Sequence, residues 1–300
     1  MAEPAPRFAI RRHAEASASR LPPLLLAAQR VAATVDQGVH GRRRVGLGET
    51  FWQFRRYETG DSLRSIDWRQ SAKSDHLYIR ETEWAAAQSI WLWRDASASM
   101  RWSSGRKLPE KRDRADLMLL ALASLLTRAG ERIGLLGIDE RPSASSVALD
   151  RLAFNLLGDA PRTDIRERQS LDLPRYENLP RYSHLALFGD FLSPLEEIDR
   201  RLRQFAGKRI GGHIVQVLDP AEADLPFGGR TRFEGLEDDG RILIKRVENV
   251  RDEYIERMTE HQAGLRDIAR SIGWSFIVHT TDQAPERALL ALYVRMAAAP

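Results

Sequence analysis

From Ser89 onward, short apolar runs alternate with longer stretches of helical period. Ser89 to Arg94 (Ser-Ile-Trp-Leu-Trp-Arg), Arg132 to Ile138, His184 to Phe188, His213 to Leu218 and Trp274 to His279 have the length and apolar continuity of buried strands. Pro109 to Arg128, Asp150 to Leu157, Pro194 to Phe205, Asn249 to Ser271 and Pro285 to Met296 read as helices, the third of them capped by Ser193. The first of these helices is apolar nearly all round between Leu117 and Leu126, which predicts burial on every side. Strands alternating with helices predict an α/β domain with a mostly parallel sheet covered on both faces. Arg230 to Val247 interrupts the alternation and reads as a hairpin turning at Asp238-Asp239-Gly240.

The first part of the chain has a different texture. Residues 1–20 are rich in Ala, Pro, Ser and Arg and read as a flexible tail. Leu24 to Val35 carries a short helical pattern. Between Gly38 and Glu83, aromatics (Phe51, Trp52, Phe54, Tyr57, Trp68, Tyr78) are spaced by glycines, which fits short strands and turns. Leu77 to Ile79 is one such strand, and Trp68 beside Ile66 is expected to anchor packing. The expected organisation is a tail over 1–20, a helix with a small β-rich extension over 21–84, and the α/β domain over 85–300.

Composition narrows the function. The 300 residues contain no cysteine, which excludes disulfides, thiolate metal sites and a cysteine nucleophile. The densest apolar stretch falls far short of the roughly 20 residues a membrane helix needs. The first residues lack a signal-peptide pattern, so the expectation is a cytoplasmic protein. Arginine outnumbers lysine 41 to 5, yet the net charge is only +4, as expected of a solvated surface of interleaved charges. Arg42, Arg43 and Arg44, with Arg55, Arg56, Arg64 and Arg69 among aromatics, leave nucleic-acid binding as an alternative. No phosphate-cradling Gly-x-x-x-x-Gly-Lys-Ser/Thr, Gly-x-Ser-x-Gly or His-Glu-x-x-His occurs, and the chain is expected not to be an enzyme. A metal-assisted hydrolase using Asp95 and Asp190 is a second, less favoured alternative.

The candidate chemistry lies just after the first strand. Asp95-x-Ser97-x-Ser99 places three oxygen side chains at alternate positions in a loop at a strand's carboxyl end. That is where ligands bind in open α/β sheets. Asp190 follows another apolar strand and emerges at the same edge if the two strands are parallel. Oxygen-only donors suit Mg²⁺ (or Mn²⁺), which keeps several positions for water or for a partner's carboxylate. The competing reading is a polar loop whose serines only cap the following turn.

Three strings together resemble a known family. They are Gly46-x-Gly48-Glu49-x-Phe51, then Arg56-Tyr57-x-x-Gly60-Asp61-x-x-Arg64-x-Ile66-Asp67-Trp68, then Asp95-x-Ser97-x-Ser99-Met100. They resemble the bacterial domain of unknown function 58 family, densely from about Arg42 to Trp102 and beyond that only in the order of strands and helices. The resemblance implies a von Willebrand factor A-like, Rossmann-type sheet with a metal-ion-dependent adhesion site. It also implies partnership with a MoxR-type AAA+ ATPase, as adaptor or co-chaperone for a client protein. The family's metal motif maps onto Asp95, Ser97 and Ser99, with Asp190 as the later aspartate and Thr163 as the candidate for the middle-loop threonine. This chain departs from the family pattern at Gly189, where Ser or Thr is common, and at Arg94, where the strand is normally apolar.

Overall fold

The computed structural model describes residues 23–36, 51–56, 67–73, 76–82, 88–157, 172–236 and 240–296. These fall into two compact units, one of residues 23–36 with 88–296 and one within 40–87.

The larger unit is built on five strands: β3 (Ser89–Arg94), β4 (Arg132–Leu135), β5 (His184–Gly189), β6 (Gly211–Leu218) and β9 (Ser275–Thr280). Their order is β4-β3-β5-β6-β9, and every neighbouring pair is parallel. Side chains alternate between two cores. Ile90, Leu92, Ala186, Phe188, Val215 and Val217 face one; Trp91, Trp93, Leu185, Leu187 and Ile214 face the other. A strand buried on both faces has no polar side to show, which is why these segments read as continuous apolar runs.

The first core is covered by α1 (residues 23–36), α3 (Lys111–Arg128), α4 (Ser146–Leu157) and α8 (Pro285–Met296). Every residue of α3 from Met118 to Leu126 is buried, as its all-round apolar surface requires. The second core lies under α5 (Leu195–Ala206) and α7 (Glu248–Ser271) through Ile198, Leu202, Phe205, Leu265 and Ala269. The helix α1 differs from the sequence expectation, which grouped it with the extension. Its Ala28, Val31, Ala32 and Val35 are part of the α/β core, because this short apolar stripe needs the larger core to cover it.

Other differences are local. β4 stops at Leu135, since Gly137 turns the chain at a φ of 85° and Ile133 bridges to Ser143. Ser193 does not cap α5; its hydroxyl donates to Asp172, and Pro194 holds the cap position. The hairpin forms from β7 (Thr231–Glu234) and β8 (Arg241–Ile244), while residues 237–239 of its expected turn lie outside the described residues. A short helix, α6 (Pro220–Asp224), follows β6.

In the smaller unit, β1 (Phe51–Arg56) pairs antiparallel with β2 (Tyr78–Thr82). The single turn α2 (Trp68–Ser71) is capped by Asp67, whose side chain accepts from the Gln70 N–H at 2.9 Å. Trp68 is 65% exposed and does not anchor packing as expected; Ser71 is the buried residue of this turn and its hydroxyl accepts from the Tyr78 N–H. No described helix is long and apolar enough to cross a membrane.

One glycine is required by a close approach. A Cβ on Gly212 would lie 2.3–2.5 Å from the Trp274 ring, which is buried and held by its Nε1–H donating to Ile210 O at 3.0 Å. Gly212→Ala is expected to destabilise the fold by about 1–3 kcal/mol or more through overpacking. Gly105→Ala, where the nearest atom is 3.9 Å away, serves as the control. Urea midpoints that match for the two variants would contradict this.

Candidate functional site

Asp95, Ser97, Ser99 and Asp190 converge at the carboxyl edge of the sheet. β3 and β5 are adjacent and parallel with Arg94 opposite Phe188, and the Asp95 N–H donates to Phe188 O at 2.8 Å. The chain therefore leaves both strands side by side, and both acids follow the last strand residues. Gly189 permits this closeness. A Cβ there would stand 2.9 Å from Asp95 Cβ and 3.2 Å from Asp95 Oδ2, so the Ser or Thr common in the resembled family does not fit here without displacing Asp95.

The cluster is joined by a polar chain. Asp95 Oδ1 accepts from the Ser97 N–H at 2.8 Å, and the Ser97 and Ser99 hydroxyls lie 2.9 Å apart. Ser99 Oγ donates to Asp190 Oδ2 at 2.6 Å. Either hydroxyl can donate in the Ser97–Ser99 contact, and the Ser97 side chain also hydrogen-bonds the Asp95 carboxyl group, so the two serines link the two acids. Asp95 is fully buried, and its Oδ2 has no hydrogen-bond partner. Burial, then the neighbouring Asp190, pushes the Asp95 carboxyl up to about 7.

The backbone beyond Asp190 is held firmly. Gln216 Nε2 donates to Asp190 O at 2.8 Å, and His261 Nε2 lies 2.7 Å from Phe191 O. Phe191 adopts a φ of 49°, unusual for a residue other than glycine, with its ring fully buried.

Three residues of the site were not visible in the sequence pattern. Lys111, the first residue of α3, is fully buried and donates from Nζ to Asp190 Oδ2 at 2.9 Å and to Glu222 Oε1 at 2.5 Å. Burial pulls its pKa down, but Asp190 and Glu222 more than offset this and leave it raised. Glu222 is itself positioned by a capping box on α6. Its Oε2 accepts from the Asp219 N–H, while Asp219 Oδ1 accepts from the Ala221 N–H. Asp219 Oδ2 also accepts from the Ser104 N–H at 2.9 Å, tying down the loop that precedes α3. The string Asp219-Pro220-Ala221-Glu222 is a readable capping signal. A lysine in a helix's first turn, against the helix dipole, is the corresponding signal for Lys111.

Arg94 takes no direct part in this cluster of acids. Its guanidinium lies 2.8 Å from Asp116 Oδ1, both side chains being 3% exposed, and it donates to Asp95 O and Leu156 O. The pair is held chiefly by Coulombic attraction. His184 opens β5, six residues and roughly 20 Å of strand from Asp190. A Ser-His-Asp arrangement using Ser97 or Ser99 with His184 is thereby ruled out. Thr163 and Arg42, Arg43 and Arg44 lie outside the described residues. Among the described residues, no group of three or more His, Cys, Asp or Glu side chains is arranged to hold a metal ion.

Comparison with known proteins gives the following. The family described as "Protein of unknown function DUF58" matches residues 53–264. Uncharacterized proteins of Mycobacterium bovis and Mycobacterium tuberculosis are each 26% identical over 248 residues, covering 79% of this chain and 76% of the relative. Among solved structures, the conserved hypothetical protein BatB from Bacteroides thetaiotaomicron is similar at a TM-score of 0.35 and 14% identity, covering 71% of this chain and 100% of that one.

Proposed function

Because this chain belongs to the DUF58 family, whose match spans residues 53–264, and carries an oxygen cluster at the carboxyl edge of an open parallel sheet, we propose that it is a non-enzymatic, metal-dependent protein-interaction module. In this reading the larger unit is a von Willebrand factor A-like domain with an adhesion site. Asp95, Ser97, Ser99 and Asp190 hold Mg²⁺ or Mn²⁺. The cation supplies a Lewis-acidic position for a carboxylate of the partner protein.

The observation that carries this reading is Asp95 Oδ2, a buried carboxylate oxygen without a hydrogen-bond partner beside a second acid. The charges agree with it. Once a bound cation displaces the Asp95 proton, the carboxylates of Asp95, Asp190 and Glu222 balance a divalent cation together with the one ammonium of Lys111. All four proposed ligands are hard oxygen donors, matching a hard cation. A hydrolytic role is less favoured, because the serine proton is already committed to an acid that Lys111 also occupies. The partner class, a MoxR-type AAA+ ATPase with a client protein, rests on the family resemblance.

The test uses the purified 300-residue chain. Mn²⁺ titrated by calorimetry is expected to bind the native chain and not Asp95→Ala. Capture on an immobilised MoxR-type ATPase should fall by about tenfold or more on chelation and return with Mg²⁺. Capture that ignores both the chelator and Asp95→Ala would remove the adhesion-site reading.

A further inference from the structure

Lys111 is a fully buried cation whose position serves neither the helix it begins nor the surface. A cation in a first helical turn opposes the helix dipole, so α3 gains nothing from it. Its two acceptors lie 79 and 111 residues away, at the ends of β5 and within α6. Asp190 Oδ2 accepts from both Lys111 and Ser99, so the ammonium holds the same carboxylate proposed as a metal ligand. Glu222 prevents it from swinging away, and the capping box fixes Glu222 in turn. The chain uses arginine 41 times and lysine five times, yet here it uses lysine. An ammonium is a compact point charge with three donors, whereas a guanidinium is a planar, delocalised fork.

We propose that Lys111 is a built-in counter-ion that weakens divalent-cation binding at this site and keeps the metal-free site folded. The proposal rests on the metal-site reading above. The ammonium neutralises part of the acidic cluster and repels any second cation placed on Asp190. Glu222 has the opposite influence, because its charge moderates the ammonium and so favours the second cation. Lys111 therefore acts as a positioning and affinity-setting residue, with Glu222 as its anchor.

The two residues give variants of opposite sign. Lys111→Met keeps the side chain's length and removes the charge. It is expected to bind Mn²⁺ at least about tenfold more tightly than the native chain, since like charges a few ångströms apart repel by at least that ratio. Its metal-free melting temperature should fall, and saturating Mn²⁺ should restore it. Glu222→Gln leaves the ammonium under-compensated and is expected to bind Mn²⁺ more weakly than the native chain. A purely structural role would weaken binding in both variants. Calorimetric Mn²⁺ titration and thermal melts of the native chain, both variants and Asp95→Ala separate the outcomes. Lys111→Met binding no tighter than the native chain, or Glu222→Gln binding more tightly, overturns the counter-ion role while native binding lost in Asp95→Ala still upholds the metal site. Binding by Lys111→Met alone upholds the counter-ion role and removes metal binding from the native protein. If Lys111→Met does not fold, the sign of the Glu222→Gln change decides. Absence of Mn²⁺ binding in every folded form overturns both ideas.

Discussion

Asp95→Asn is expected to stabilise the metal-free protein at neutral pH by up to about 4 kcal/mol and to change it little near pH 4. Burial, reinforced by Asp190, raises the Asp95 carboxyl from 3.8 to about 7. The native state therefore keeps a proton that the unfolded chain releases between those values. Stability falls as pH rises through that window, and the loss is complete above the folded value. Asparagine keeps an oxygen to accept from the Ser97 N–H and carries no charge, so it escapes the loss.

His213 and His279 act in the other direction. Burial lowers both to about 4, so the stability they contribute is lost as pH falls from about 6.5 towards 4. They are common to both proteins and cancel in the difference. Urea unfolding in chelator at several pH values between about 4 and 8 gives that difference directly. A gap between Asp95→Asn and the native chain that stays constant with pH would contradict the assignment. Added Mn²⁺ should reverse the order, because it stabilises only the chain that binds it.

Asp116→Ala is expected to destabilise the fold by about 3–5 kcal/mol, the range for removing one partner of a buried ion pair. Asp116 comes from α3 and meets Arg94 at the end of β3, both almost fully enclosed. Without it, the Arg94 charge keeps the carbonyls of Asp95 and Leu156 and the weaker attraction of the Asp95 carboxylate, against a like-charged neighbour, Arg112. Loss of the pair also loosens the strand end that presents Asp95, so Mn²⁺ binding should weaken with stability. The double variant Arg94→Met with Asp116→Leu should recover most of the stability, since the cost lies in the unpaired charge rather than in the lost attraction. Denaturation showing Asp116→Ala within about 1 kcal/mol of the native chain would mean that Arg94 reaches water in the folded state.

Much of the architecture was visible in one dimension because its causes are local. β3 and β5 are buried on both faces, so Ile90 to Trp93 and Leu185 to Phe188 appear as unbroken apolar runs. The all-round apolar stretch of α3 likewise follows from burial on every side. Asp95, Ser97 and Ser99 were legible because a strand end and alternate positions already fix their edge and spacing. Asp190 followed from the same rule, given parallel strands. The helix α1 was visible as a helix but not as a member of the α/β core, because periodicity shows an apolar face and not what covers it.

The tertiary structure alone decided which strands are neighbours, and with that the chemistry of the site. The order β4-β3-β5-β6-β9 sets β5 between β3 and β6, so Asp190, beside Asp95, and Glu222 of the Asp219–Glu222 cap meet at one lysine. It also gives Gly189 its purpose, since only the β3–β5 contact leaves no room for a Cβ beside Asp95. Arg94 looked from the sequence like a cation at the metal loop, yet the fold turns it toward Asp116 and gives that position to Lys111. The residue types and local periods of this chain are short-range properties, readable along a single segment. Its charge balance is a long-range one, because Coulombic partners are chosen by distance in space and these lie 79 to 111 residues apart.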